Sequence, residues 1–390
     1  MPTSADVVII GGGILGTSLA YYLAQKGAGD VVLLERASIA DGSTGKSAAI
    51  VRMHYTNPVT VQLALRSRDL FLNWGERVGG PGVYTQCGWY FLAPSHQEDN
   101  VRRNVTMQRA LGVDAEFVDA ELLARRVRGL DPEGINLVVH EPLSGYADPV
   151  ATCVGLAGAA AQKGVRIVAG VNVRRLLREG GRVTGVDTDG DTYTAPVTVL
   201  AAGPWAGALA SGVGLELPLE NYREQELMFD PTSAGVRLDA SISNMCEQIY
   251  LRPRPNGGML VGRGYPKPYE SVDPNAFNER FDPEFAADVE TRLARRFPAL
   301  RGLRPKSGVV GLYTVTPDWH PIVGPADACP GLWLAVGGSG HSFKIGPAIG
   351  EMLADQIVAG ECRWVDAEPF KLSRFASGAR FSSSYGGNRA

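Results

Sequence analysis

The short run Asp6–Ile10 is apolar and β-branched after its first residue, and it is followed by Gly11, Gly12, Gly13 and Gly16, an apolar-rich stretch over residues 17–25, and a second run, Val31–Glu35. Runs this short and this apolar fit strands covered on both faces, and the glycines with a longer apolar stretch between them predict strand, turn, helix, strand. From residue 84 the texture changes: 89–92 (Trp-Tyr-Phe-Leu) predicts a strand, and 98–111 and 119–126 predict helices. An alanine-rich helix over 149–162 and a strand over 165–168 follow, and the runs at 173–177, 183–187 and 197–201 alternate with glycine turns, so the chain returns to its first unit. Between 217 and 308 lie strand-like runs at 248–252 and 259–262 and a polar helix over 283–296. A buried strand over 332–336 and the turn Gly337-Gly338-Ser339-Gly340 then lead into a helix over 346–358. The pattern predicts an α/β fold. Its first domain is discontinuous (1–83, 146–216 and 309–375), its second is α+β on a mixed antiparallel sheet (84–145 and 217–308), and residues 376–390 form a disordered tail.

A chain of 390 residues with 45% hydrophobic content can bury a core of that size. The net charge of −3, with acids and bases interspersed, lacks the basic footprint of a nucleic-acid or membrane-surface binder. The five cysteines are scattered and odd in number, which fits neither a disulfide framework nor a metal site, so no metal and a reducing cytoplasm are expected. The apolar start has no basic leader and is broken by glycines, which argues against a signal peptide or membrane insertion. The expected ligand is a small molecule.

Gly11, Gly13 and Gly16 make a G-x-G-x-x-G between a strand and a helix, where backbone amides, including those of Ile14 and Leu15, and the positive helix terminus can face a pyrophosphate. Glu35 ends the next strand about 20 residues on, where an acid accepts hydrogen bonds from a ribose diol, with Arg36 beside it. This motif does not separate FAD from NAD. The stretch Gly42-Ser43-Thr44-Gly45-Lys46-Ser47 looks like the end of a P-loop, but Ala40 stands where that loop needs glycine. Ser43, Thr44, Ser47 and Ala48 are instead small enough to approach the dinucleotide, and Thr44 and Ser47 read equally as phosphate or flavin contacts and as ordinary caps.

The dinucleotide motif, then Gly42-Ser43 with Ile50-Val51-Arg52 and Tyr55, then Ala201-Ala202-Gly203-Pro204-Trp205, then Gly338-Ser339-Gly340-His341-Ser342-Phe343-Lys344, taken in order, resemble the D-amino-acid oxidase superfamily. The likeness is greatest to its sarcosine oxidase and dimethylglycine dehydrogenase branch and covers almost the whole chain. The resemblance implies FAD in a Rossmann-like domain of the glutathione-reductase type and a substrate domain whose sheet covers the flavin. It implies that Val173 meets adenine through its main chain and that Ala202, Gly203 and Trp205 close over the dinucleotide. Gly338, Gly340, His341, Ser342 and Lys344 would surround the flavin, where a helix start favours charge developing toward N1 and the C2 carbonyl. His341 reads equally as a flavin neighbour and as a backbone-bonded turn residue.

The same resemblance makes Arg52 and Lys344 a clamp for a substrate carboxylate and Tyr250 an orienting residue. The expected reaction is oxidation of the C–N bond of a small secondary or tertiary, N-alkyl amino acid such as sarcosine, by hydride transfer to flavin N5. The amine must be neutral, and the imine hydrolyses. Two departures from the branch stand out. The cysteine that tethers flavin there is replaced near 311–313, so FAD is expected to be non-covalent. The lysine associated there with oxygen activation corresponds to Met259 or Leu260, with Lys46 and Lys267 as spatial substitutes, so the electron acceptor is O2 or another carrier. The alternatives are a D-amino-acid or glycine oxidoreductase acting on primary amines and, from another class, a subunit of a heteromeric amine dehydrogenase; association with other subunits stays open.

Overall fold

A computed structural model describes residues 3–386. Its central sheet has six strands in the order Arg166–Ala169, Val31–Glu35, Val7–Ile10, Val197–Leu200, Leu332–Val336 and Ile322–Pro325. All neighbours are parallel except the last pair. The apolar runs are strands because both faces are covered. Val7 and Ile9 point into a core shared with the helices Ile14–Lys26, Pro149–Gln162 and Ser342–Ala359, and Val8 and Ile10 point into another. That second face is closed by a separate four-stranded sheet, which takes in Val173–Glu179, Arg182–Thr188 and Thr192–Thr194.

The second sheet has eight strands, ordered Ser307–Val315, Glu220–Phe229, Met259–Arg263, Ile249–Pro253, Ser241–Asn244, Trp89–Ala93, Leu137–Glu141 and Glu116–Val118. Side chains alternate across it. Leu227, Phe229, Ile249 and Leu251 face a core built with the helices Ala120–Arg126 and Pro283–Arg296. Met228, Tyr250 and Leu260 face the first core. Glu224 and Glu226 share the Met228 face by the same period of two, and so look toward the first domain.

Three expectations need correction. The last helix begins at Ser342, not Gly346. Pro347 therefore lies inside the helix, in its second turn, where it has no N–H to give the Phe343 carbonyl. The boundary at 308/309 cuts a strand, since Ser307–Val315 pairs along its length with Glu220–Phe229; Gly308 and Gly311 hide its alternation. Residues 376–386, expected in a disordered tail, fold onto the body: Tyr385 is buried, and Phe381 stacks on His320 with centroids 4.0 Å apart. Residues 387–390 of that tail lie outside the described residues. Among the described residues no helix is long and apolar enough to cross a membrane, and no group of His, Cys, Asp and Glu could hold a metal ion.

Candidate active site

A cavity of about 430 Å³ runs along the carboxyl ends of the central strands. Its floor is the first glycine turn. The helix Ile14–Lys26 starts at Gly13 without a side-chain cap on that residue. A Cβ on Gly16 would stand 1.9 Å from the Gly11 carbonyl oxygen, so only glycine lets the helix sit this close to the turn. Gly16 thus shapes the cavity from behind, while Gly11, Gly13, Ile14 and Leu15 line it. Thr44 Oγ1 accepts the Ile14 N–H at 3.1 Å, and Ser47 Oγ accepts the Ala49 N–H at 3.0 Å. These two hydroxyls therefore cap and close turns, and with Ser43 they also line the cavity.

Glu35 lines the same cavity with Arg36. Its Oε2 accepts the Gly12 N–H at 2.6 Å and its Oε1 the Ala37 N–H at 2.9 Å, which fixes the carboxylate at the mouth of the turn. The Arg36 guanidinium stacks 3.4 Å above the Trp205 ring, and Trp205 Nε1 donates to Asn275 Oδ1 at 2.8 Å. Val173, Ala202 and Gly203 complete that side. At the other end Gly338, Gly340 and Ser342 line the wall. Gly337, Ser339 and Gly340 all take positive φ there, so the chain bends sharply into the uncapped start of Ser342–Ala359. The start of the first helix, where Thr44 takes only the Ile14 N–H, the start of Ser342–Ala359 without a side-chain cap, and a fixed acid at a strand end are the donors and acceptors that a dinucleotide such as FAD requires.

We expect Glu35→Ala to leave the fold intact and weaken retention of FAD, because it removes the acid that would accept the ribose hydroxyls. Equal flavin content after gel filtration of variant and parent would refute this assignment.

A second cavity of about 220 Å³ adjoins the first; Ser47, Glu226, Tyr313, Ser339, Gly340 and Phe343 line both. Ala48, Arg52, Tyr250, His341 and Lys344 line this second space and not the first. The Ile50–Val51 strand delivers Arg52, which donates to the His54 carbonyl oxygen and lies over the rings of Tyr55 (4.9 Å) and Trp89 (5.6 Å). Lys344, in the first turn of the last helix, is buried, and desolvation followed by the Arg52 charge holds its pKa well below that of an ordinary lysine. Glu141 feels Arg52, but its carboxylate already accepts from Met53 N–H at 2.9 Å and Ser144 Oγ at 2.6 Å. Two basic side chains thus face one cavity with no carboxylate of the described residues in an ion pair with either.

The sequence did not point to several other residues here. His54, buried and held down to about 3 by desolvation and Arg52, is a neutral imidazole whose Nε2 bonds Tyr385 Oη at 2.7 Å. Trp89 and Phe91 pack beside it at 5.5 and 4.4 Å. His341 is likewise kept neutral by burial, then by Lys344 and Arg52, and its Nδ1 finds no partner among the described residues. Tyr250 Oη donates to Glu226 Oε1 at 2.8 Å, and Lys267 is ion-paired with Glu224. The strand Glu220–Phe229 buries two of its acids, Glu224 and Glu226, which is costly unless each is partnered.

The profile of the family described as DAO, FAD dependent oxidoreductase, matches residues 6–356. FAD-dependent oxidoreductase domain-containing protein 1 of Bos taurus is 30% identical over 97% of this chain and 86% of its own. The mitochondrial sarcosine dehydrogenase of Homo sapiens is 28% identical over 96% of this chain but 42% of its own, so the chain spans less than half of that relative. Among solved structures, L-proline dehydrogenase from P. horikoshii superposes with a TM-score of 0.89 at 27% identity, covering 97% of this chain and 99% of that one.

Proposed function

Since the chain belongs to the DAO family of FAD-dependent oxidoreductases, which act on amino acids or amines, we propose that it oxidises the C–N bond of a small N-alkyl amino acid such as sarcosine. One observation carries this reading: Arg52 and Lys344, both lining a small cavity beside the dinucleotide cavity, have among the described residues no ion pair with a carboxylate, which a substrate can supply. A guanidinium grips a carboxylate through two bonds and an ammonium adds a point charge, so together they would fix the α-carbon in one orientation. Trp89, Phe91 and Tyr385 give part of the wall an aromatic character suited to an N-methyl group or a closed ring. FAD would supply the hydride acceptor, held by the Gly11–Gly13 turn, Glu35 and the Gly338–Gly340 turn. The similar sarcosine and L-proline dehydrogenases support a secondary amine.

The test is anaerobic bleaching of the yellow purified chain by sarcosine, L-proline, glycine and D-alanine in parallel. Faster bleaching by the first two supports the proposal, and bleaching only by the primary amines replaces it. We also propose that FAD is bound without a covalent link, because among the described residues no cysteine or histidine lines the dinucleotide cavity. Acid precipitation is expected to release the colour into the supernatant; colour retained in the pellet would contradict this.

A further inference from the structure

An amino acid with a secondary amine reaches the protein as an ammonium, and its nitrogen has no electron pair with which to assist loss of hydride from carbon. Some group must take the proton. If Arg52 and Lys344 hold the carboxylate, the acceptor belongs elsewhere on the cavity wall, on the side shared with the dinucleotide cavity. Glu226 is there, lining both spaces.

The sheet builds this position. Glu226 and Tyr250 are each paired in register with Gly262, on the strand between theirs. A Cβ on Gly262 would stand 2.2 Å from Tyr250 Cζ, so the glycine leaves room for the Tyr250 ring to lean across the middle strand. Its hydroxyl then donates to Glu226 Oε1 at 2.8 Å. We propose that Glu226 accepts the proton of the substrate ammonium, with Tyr250, lying over Gly262, as its positioning residue. This rests on the amine-oxidation reading. In the step an N–H bond of the ammonium breaks, an O–H bond forms on Glu226, and nitrogen keeps the electron pair; the proton passes to water after the product leaves.

The surroundings suit the task. Burial raises the Glu226 pKa to about 7, with Tyr250, Arg252 and the Ala48 amide pulling it down and Glu224 pushing it up. Tyr313, the remaining titratable group facing it, is a neutral phenol, as is Tyr250, both held so first by burial. The other candidates are poorer acceptors. His54 and His341 are held far below an ordinary imidazole, Glu224 is paired with Lys267, and Lys344 serves the carboxylate as a cation.

Anaerobic flavin reduction by sarcosine, at subsaturating substrate and across about pH 6 to 10, separates the possibilities. In the parent holoenzyme the rate should rise with pH through about 7 and level off. In Glu226→Gln, which can still accept the Tyr250 hydroxyl, that limb should vanish and the rate should follow the substrate's own ammonium. The loss near neutrality is expected to be about 10²- to 10⁴-fold and to shrink as pH rises. Glu226→Asp should restore a limb, and Tyr250→Phe should keep the limb but shift its midpoint. A binding readout runs alongside: calorimetry with 2-amino-2-methylpropanoate, which carries the ammonium and the carboxylate but has no hydrogen on a carbon bonded to nitrogen. The parent should release about one proton on binding below pH 7 and none above, whereas Glu226→Gln should show no such change. A variant that keeps the limb near 7, or the parent's proton release, overturns the role of Glu226 alone. A parent that no carboxylate-bearing amine reduces at any pH overturns the proposed function and this role with it.

Discussion

Arg52→Ala and Lys344→Met are each expected to lose roughly tenfold to a hundredfold in affinity for a carboxylate-bearing amine, with FAD content unchanged. The magnitude follows from about 1.5–3 kcal/mol for a hydrogen bond to a charged group. FAD should stay because neither residue lines the dinucleotide cavity. The two variants should differ in one respect. Lys344 is a buried cation that desolvation and Arg52 both disfavour, so methionine, of similar length and uncharged, should leave the substrate-free protein at least as resistant to heat as the parent. Arg52 instead packs across Tyr55 and Trp89 and bonds the His54 carbonyl, and its removal should lower the melting temperature. Neutral esters should be poor substrates for the parent. Unchanged reduction kinetics in both variants, or equal rates on acids and esters, would dismiss the clamp and the amino-acid-like substrate with it.

Legibility in the sequence followed how local each signal is. The Val7–Ile10 run, the glycines behind it and Glu35 lie within one strand-helix-strand unit, and the structure brings them together around one cavity. The helix Pro283–Arg296 was visible because a proline opens it and its apolar positions recur at helical spacing. Strand Ser307–Val315 was obscured by two glycines that exist for its neighbours: Gly308 lies under Phe281 and Gly311 under Lys46. Glu226 was passed over because a strand carboxylate reads as solvent-facing until the register across Gly262 and the layer in front of it are known. Tyr385 gave no local signal at all, since its partner His54 lies 331 residues earlier. Its burial depends on an ion pair that no pattern of hydrophobic positions reveals.

That pair joins Arg374 to Asp318, and Arg374→Ala is expected to destabilise the protein by about 3–5 kcal/mol, the cost of leaving a buried charge without its partner. The two side chains are 2% and 1% exposed and meet through two bonds of 2.8 and 3.0 Å. Arg374 also donates to the Phe370 and His320 carbonyls at 2.9 and 2.8 Å, so its loss strands several acceptors at once. Asp318 in turn accepts the Phe381 N–H at 3.2 Å, and from Phe381 the chain continues to Tyr385 in the substrate cavity. The variant should therefore also change the apparent affinity for bulky amines more than for sarcosine, in whichever direction a loosened Tyr385 allows. The pH dependence has a definite sign. Burial pushes the Asp318 carboxyl up, but the bonds and charge of Arg374 bring it out below its ordinary value. Its contribution in the parent is thus present above the unfolded value of about 4 and is lost as pH falls through the folded one. Without Arg374, burial raises the carboxyl instead, and the protonated form is the one the folded state tolerates. The stability gap between parent and variant should be widest near neutral pH and narrow as pH falls through about 4. A double variant, Arg374→Met with Asp318→Leu, should recover much of the loss at neutral pH, since neither partner is then left charged. A gap that stays constant with pH, or a double variant no more stable than Arg374→Ala, would show that the pair is not what holds this end of the chain.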